Sequence, residues 1–194
     1  MNTKNNKRHQ ETIRRIETAF LSQVREKPIS QIKVSDICQD AQINRSTFYA
    51  NYCDIYALAD AIHLRLKEDV TRIIQQDLGQ AFSENHFLQI FQHIQANQEL
   101  YYFYFKLGLD KDTDHLFLHS FSPAPCAKDN AKLDYHIVFF KNGFNGILQK
   151  WLENGCTESP EQMRDVLLRE YQGRWGASGV PQHPIPIVSP ETEQ

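Results

Sequence analysis

Residues 32–58 read IKVSDICQDAQINRSTFYANYCDIYAL, two short helical patterns with a tight break between them. In the first, Val34, Ile37, Cys38 and Ala41 fall at i, i+3, i+4 and i+7, which puts them on one apolar helix face. Gln42-Ile43-Asn44 interrupts that pattern, and Asn44 is a suitable N-cap for a second helix running from Arg45 to about Tyr52. The second segment is polar on its outside, with an arginine, small hydroxyl residues and a tyrosine. An apolar helix that braces a polar, hydroxyl-rich one is what a helix-turn-helix requires, because the second helix has to enter the major groove.

The stretch AQINRSTFYANYCDIYAL resembles the signature of the TetR/AcrR family of bacterial transcriptional regulators. The match is carried by Ile37, Ala41, Ile43, Thr47, Phe48-Tyr49, Tyr52 and Leu58 in one ungapped register. Three positions depart from the family pattern: Gln42 stands where glycine is frequent in the turn, Lys33 where threonine often opens the first of the two helices, and Ile55 where a phosphate-binding lysine is usual. The resemblance implies that Arg45, Ser46, Thr47, Tyr49 and Asn51 face DNA while Phe48 and Tyr52 belong to the core. Lys33, Ser35 and Arg8, at the start of the first helix, complete the DNA-binding set. The chemistry fits: arginine reads guanine and asparagine reads adenine bidentately, and serine or threonine meets a base edge, a thymine methyl or a phosphate. The bland alternative is a helical hairpin with a polar face, which does not account for so long a contiguous match.

With 194 residues the chain can form one compact domain or two small ones, burying roughly 70% of its unfolded surface. Its net charge of −3 argues against indiscriminate polyanion binding. The charge is unevenly spread, however. Residues 1–49 hold nine Lys/Arg against five Asp/Glu, a surplus of +4, so the remainder carries −7. A basic amino-terminal module on an acidic body suits DNA binding at one end, although chance asymmetry on a solvated surface would look the same. The four cysteines show no C-x-x-C spacing, and Cys38 falls on an apolar face, so a reduced, cytoplasmic setting is expected. The first ten residues are polar and no run reaches the roughly 18 apolar residues of a membrane span. No membrane partner is expected.

Further helices are expected at 8–26 (Ile13, Ile16, Phe20, Val24; stopped by Pro28), at 54–78 (capped by Asp54, stopped by Gly79), at 84–107 (stopped by Gly108) and at 131–154 (followed by Gly155). Ser159-Pro160-Glu161-Gln162 offers a capping box with proline at N1 for a last helix carrying Met163, Val166, Leu167 and Tyr171. Residues 109–130 read as irregular, with a possible short helix at 115–121. The resulting expectation is an all-α fold of about nine helices. It comprises a three-helix DNA-binding head at 8–53, a ligand-binding and dimerisation body at 54–171, and a Pro/Gly-rich tail at 172–194.

The helix at 131–154 is apolar on more than one side, so a second copy is expected to cover one face. Phe144, Ile147, Trp151, Val166 and Leu167 are the interface candidates, and HIVFFKNGFNGILQKWLENGCTESPEQM resembles the dimerisation segment of one TetR carboxy-terminal subgroup. The alternative is a central core helix in a monomer. Fourteen of the 22 aromatics lie between Phe82 and Phe144, which suggests an effector pocket lined by Phe91, Tyr101, Tyr102, Phe105, His136 and Phe140. A plain aromatic core explains any one of these equally well.

Asp110-Lys-Asp112-Thr-Asp114 starts like a calcium loop, but His115 and Phe121 stand where glycine and glutamate are needed. His115, His119 and Cys126 lack a zincin pattern. No phosphate loop, nucleophile elbow or triad is present in the sequence, so no catalytic residue, metal or cofactor is expected. Three function classes follow. The first is a homodimeric DNA-binding regulator on a palindromic operator, acting as a repressor released by a small-molecule effector. The second is a coactivator on the same fold that docks a protein partner. The third is a helical enzyme or carrier, against which the missing catalytic constellation argues.

Overall fold

A computed structural model describes residues 3–75, 84–110 and 130–171. The regular structure of these residues is helical throughout: α1 (Thr3–Glu26), a 3-10 turn (Ile29–Gln31), α2 (Val34–Asp40), α3 (Arg45–Tyr49), α4 (Ile55–Gln75), α5 (Glu84–Ala96), α6 (Gln98–Lys106), α7 (Asn130–Glu153) and α8 (Pro160–Tyr171). The expected all-α class is what the chain adopts. Gly79, the expected helix at 115–121, His115, His119, Cys126, Asp112, Asp114 and the tail at 172–194 lie outside the described residues, as does the side chain of His136.

Local chemistry places most of the helix ends. Asp54 caps α4, its Oδ1 accepting the Ala57 N–H at 2.8 Å. Ser159 and Gln162 form the reciprocal capping box that opens α8, at 2.8 and 3.3 Å. Gly155 ends α7 at φ 71, with the Cys156 N–H on the Trp151 carbonyl and the Gly155 N–H on the Leu152 carbonyl, both 2.9 Å.

Three expected boundaries are corrected. α1 starts at Thr3 rather than at 8, and α3 ends at Tyr49 rather than near Tyr52. The single helix expected over 84–107 is two, broken at Asn97, whose backbone (φ −131, ψ 39) is not helical. The Asn97 amide donates to the His93 carbonyl at 2.8 Å, a side-chain bond that replaces the helical ladder.

One apolar cluster runs through the described residues. Ile16, Phe20 and Val24 of α1, Ile37 of α2, Phe48 of α3, and Leu58, Ile62 and Leu66 of α4 are all buried in it. It continues through α5–α8, where Phe91 meets Phe144 (6.0 Å) and Trp151 (5.5 Å) edge-on and Phe140 stacks on Phe144 at 5.9 Å. α5 packs along α8, and α6 packs against both α7 and α1. α1 therefore lies between the helix-turn-helix and the body, touching α2 on one side and α6 on the other.

Candidate nucleic-acid interface

The turn between α2 and α3 is a tight helix end. The Ile43 N–H bonds the Cys38 carbonyl at 2.9 Å, the Gln42 N–H bonds the Gln39 carbonyl at 3.1 Å, and Gln42 sits at φ 53. This is the left-handed position that glycine usually fills where a helix ends in such a turn, occupied here by a residue with a Cβ. α1 is fastened to the same unit. Arg15 donates to the carbonyls of Ala41 and Gln42, Gln23 donates to Asp40, and Lys27 pairs with Asp36 at 3.1 Å. Lys27 and the neighbouring Ser35 hydroxyl hold the Asp36 carboxyl below the usual carboxylate range.

α3 is short, and its core side is fixed by a single ring. Phe48 is fully buried, edge-on to Tyr49 at 5.6 Å and tilted against Tyr52 at 5.8 Å. Burial pushes the Tyr52 phenol up to about 12. Asn44 takes the extended N-cap conformation but makes no side-chain cap bond; its carbonyl accepts from Thr47 and Phe48. With Phe48 turned inward, Arg45, Ser46 and Tyr49 are exposed and Thr47 is half-buried.

Lys33, Ser35, Arg45 and Tyr49 come together around one open groove of about 450 Å³, with Ser30, Asp54 and Tyr56 on its walls. Arg8 is not among the groove's residues; it is exposed near the start of α1, where its carbonyl accepts the Thr12 hydroxyl. Asn51 is also placed differently from expectation. It follows the end of α3, and its amide donates to the Thr47 carbonyl at 2.7 Å, satisfying one of the helix's open carbonyls instead of projecting as a free reader. Ile55, at the family's lysine position, is buried, and Tyr56 beside it is 56% exposed. Sequence reasoning missed Tyr56 and Arg15. Tyr56 had a signal, since it directly follows a core position in the first turn of α4. Arg15 had none, because its partners lie 26 and 27 residues away.

The head is also tied to the body. Lys106 of α6 donates to the Val24 and Arg25 carbonyls at the end of α1, Arg25 pairs with Glu99, and the Tyr102 ring lies under Arg25 (5.3 Å) and Lys106 (5.6 Å). Phe20 meets Phe103 at 5.7 Å. A second open groove, of about 610 Å³, lies where α1, α4 and the α5–α6 junction meet, lined among others by Arg14, Glu17, Arg65, Asp69 and Asn97.

The residues expected to line an effector pocket are dispersed. Phe91 and Phe140 are core, and Tyr101 is buried with its hydroxyl 2.9 Å from His93 Nδ1. Phe105 is half-buried against Tyr104, and Tyr102 is 39% exposed at the α1 contact. Adjacent helical residues point about 100° apart, and here Tyr101 turns into the core toward His93 while Tyr102 turns outward to Arg25 and Lys106. Three of the five interface candidates, Phe144, Trp151 and Leu167, are buried inside their own chain, packed by α5 and its neighbours; Ile147 and Val166 keep some surface. Among the described side chains of α7, the large exposed apolar ones are instead Tyr135, Val138 and Phe139.

Residues 83–170 match the TetR-type family described as "Transcriptional regulator C-terminal region". That carboxy-terminal stretch is similar to the corresponding region of TetR-type transcriptional regulators. The chain's fold is that of a TetR transcriptional regulator from Streptococcus agalactiae 2603V, at 21% identity and a TM-score of 0.54 over 88% of this chain and 98% of that one. The dihydroxyacetone kinase operon activator DhaS is similar in fold at 22% identity and a TM-score of 0.52, over 82% of this chain and 93% of that one. No curated protein matches the chain significantly. Among the described residues, no helix is long and apolar enough to cross a membrane.

Proposed function

We propose that the chain is a non-enzymatic, sequence-specific DNA-binding regulator that works as a homodimer on a palindromic operator, repressing until an effector releases it. The observation that carries the reading is the convergence of Lys33, Ser35, Arg45 and Tyr49 on one groove beside a helix whose inner face Phe48 anchors. Arg45 and Tyr49 are free to reach base edges, and Lys33 and the Tyr56 hydroxyl are placed to meet phosphates.

Dimerisation rests on Tyr135, Val138 and Phe139, which stand on one face of α7 at i, i+3 and i+4 and are 79%, 52% and 53% exposed. Beyond them, a Cβ added at Gly146 would meet nothing within 4 Å, so a facing helix can approach closely there. A second copy covers this apolar patch and presents two recognition helices to successive turns of DNA, roughly 34–36 Å apart.

Effector control fits the head–body junction better than the aromatic core. A ligand in the groove between α1, α4 and the α5–α6 junction touches both units, so its binding would bias their relative position. DhaS, which shares this fold, is an operon activator, which supports a second reading with the opposite sign of regulation. A gel shift on DNA selected by the protein itself, followed by transcription in vitro from a promoter carrying that site, tests both. Absence of any sequence-selective complex rejects the DNA-binding reading, and the direction of the transcript change decides the sign.

A further inference from the structure

Arg15 reaches from α1 to the exit of α2. Its Nη2 donates to the Ala41 carbonyl and, at 2.8 Å, to the Gln42 carbonyl. These belong to the C-cap residue of the bracing helix and to the left-handed residue that turns the chain toward α3. Only Ile43 and the N-cap Asn44 separate the clamped carbonyls from Arg45. A guanidinium is rigid and planar, so holding two successive carbonyls restricts the direction of the chain between them. The far end of α1 is held by Lys106 and Glu99 of α6, so the arm carrying Arg15 is itself braced on the body.

We propose that Arg15 is a positioning residue for DNA recognition: it contacts no base and sets the pose of α3 by clamping the turn. The inference rests on the DNA-binding reading above. Base-edge hydrogen bonds demand exact placement of α3, whereas phosphate contacts are long-range and tolerant. Loosening the turn should therefore weaken specific binding and spare non-specific binding.

The test uses the full chain with Arg15→Met and Arg15→Lys. Binding is measured on a duplex selected by the wild-type protein and on an unrelated duplex of equal length, across a salt series, at a temperature where circular dichroism shows every variant folded. Phe91→Leu serves as a control that lowers the melting temperature from the body core. For Arg15→Met the expected result is about a tenfold loss on the selected duplex, comparable to losing one base contact, with the unrelated duplex and the salt slope unchanged. Arg15→Lys, one bond shorter in reach, should fall between, and it carries the comparison if the Met variant does not fold. Phe91→Leu should bind as wild type. Amide exchange over 43–49 should accelerate in Arg15→Met with no DNA present. Equal loss on both duplexes with a flatter salt slope would make Arg15 a phosphate contact and overturn the proposal. So would unchanged exchange at 43–49, or a matching loss in Phe91→Leu. If the wild-type protein selects no duplex, the DNA-binding reading fails, while the exchange result still shows whether the clamp exists.

Discussion

Replacing Gln42 by glycine should stabilise the protein, and the magnitude follows from one backbone angle. Gln42 sits at φ 53 with its side chain exposed, so little contact is lost by truncation. A left-handed backbone costs an L-residue about 1–2 kcal/mol, a penalty glycine does not incur. Against this, glycine loses about 0.5–1 kcal/mol more chain entropy on folding. The difference favours Gln42→Gly by about 0–1.5 kcal/mol, which for a chain of this length raises the melting temperature by up to roughly 6 °C. Gln42→Val should go the other way by about 1 kcal/mol, because a β-branched residue tolerates this region worst. Gly155→Ala is the mirror control: φ is 71 and an added Cβ meets nothing within 4 Å, so any loss there is conformational. Urea unfolding midpoints at one fixed protein concentration measure all three. A glycine variant less stable than wild type, or a valine variant equal to it, would refute the reasoning.

Other outcomes are expected at the DNA face, the dimer face and a half-buried histidine. Arg45→Ala and Tyr49→Ala should each cost about 1–3 kcal/mol of specific binding with the melting temperature unchanged, and Lys33→Ala should weaken all sequences alike and flatten the salt slope, both read by titrating selected and unrelated duplexes. Phe139→Glu should leave a folded monomer in sedimentation, whereas Phe144→Glu should unfold the chain, because Phe144 is packed against Phe87, Phe91 and Phe140; a dimeric Phe139→Glu would count against α7 as the interface. Burial lowers the His93 pKa from 6.5, partly opposed by Asp69. The unfolded chain therefore takes up the proton first, so the stability from neutral His93 is present above about pH 6.5 and is lost as pH falls through its lower folded value. His93→Asn should remove that part of the acid sensitivity in unfolding midpoints taken between pH 7.5 and 5.

Much of this protein is local physics and was readable in order along the chain. The helix-turn-helix register, the Asp54 cap, the Ser159–Gln162 capping box and the Gly155 stop depend on residues only a few positions apart in the chain, where side-chain period and hydrogen-bond reach decide the outcome. The division of α3 into an anchoring Phe48 and an exposed Arg45, Ser46 and Tyr49 was legible for the same reason, since a helix has one period. What the sequence left open was which apolar face meets which neighbour. Phe144, Trp151 and Leu167 carry the hydrophobicity of interface residues, but α5 and its neighbours bury them within the chain and leave Tyr135, Val138 and Phe139 outside. Periodicity shows that a face is apolar without saying what covers it. Arg15 is the clearest case of a role decided by tertiary structure alone: its partners are backbone carbonyls on another helix, and a carbonyl is the same in every residue, so no pattern of side chains could announce the contact.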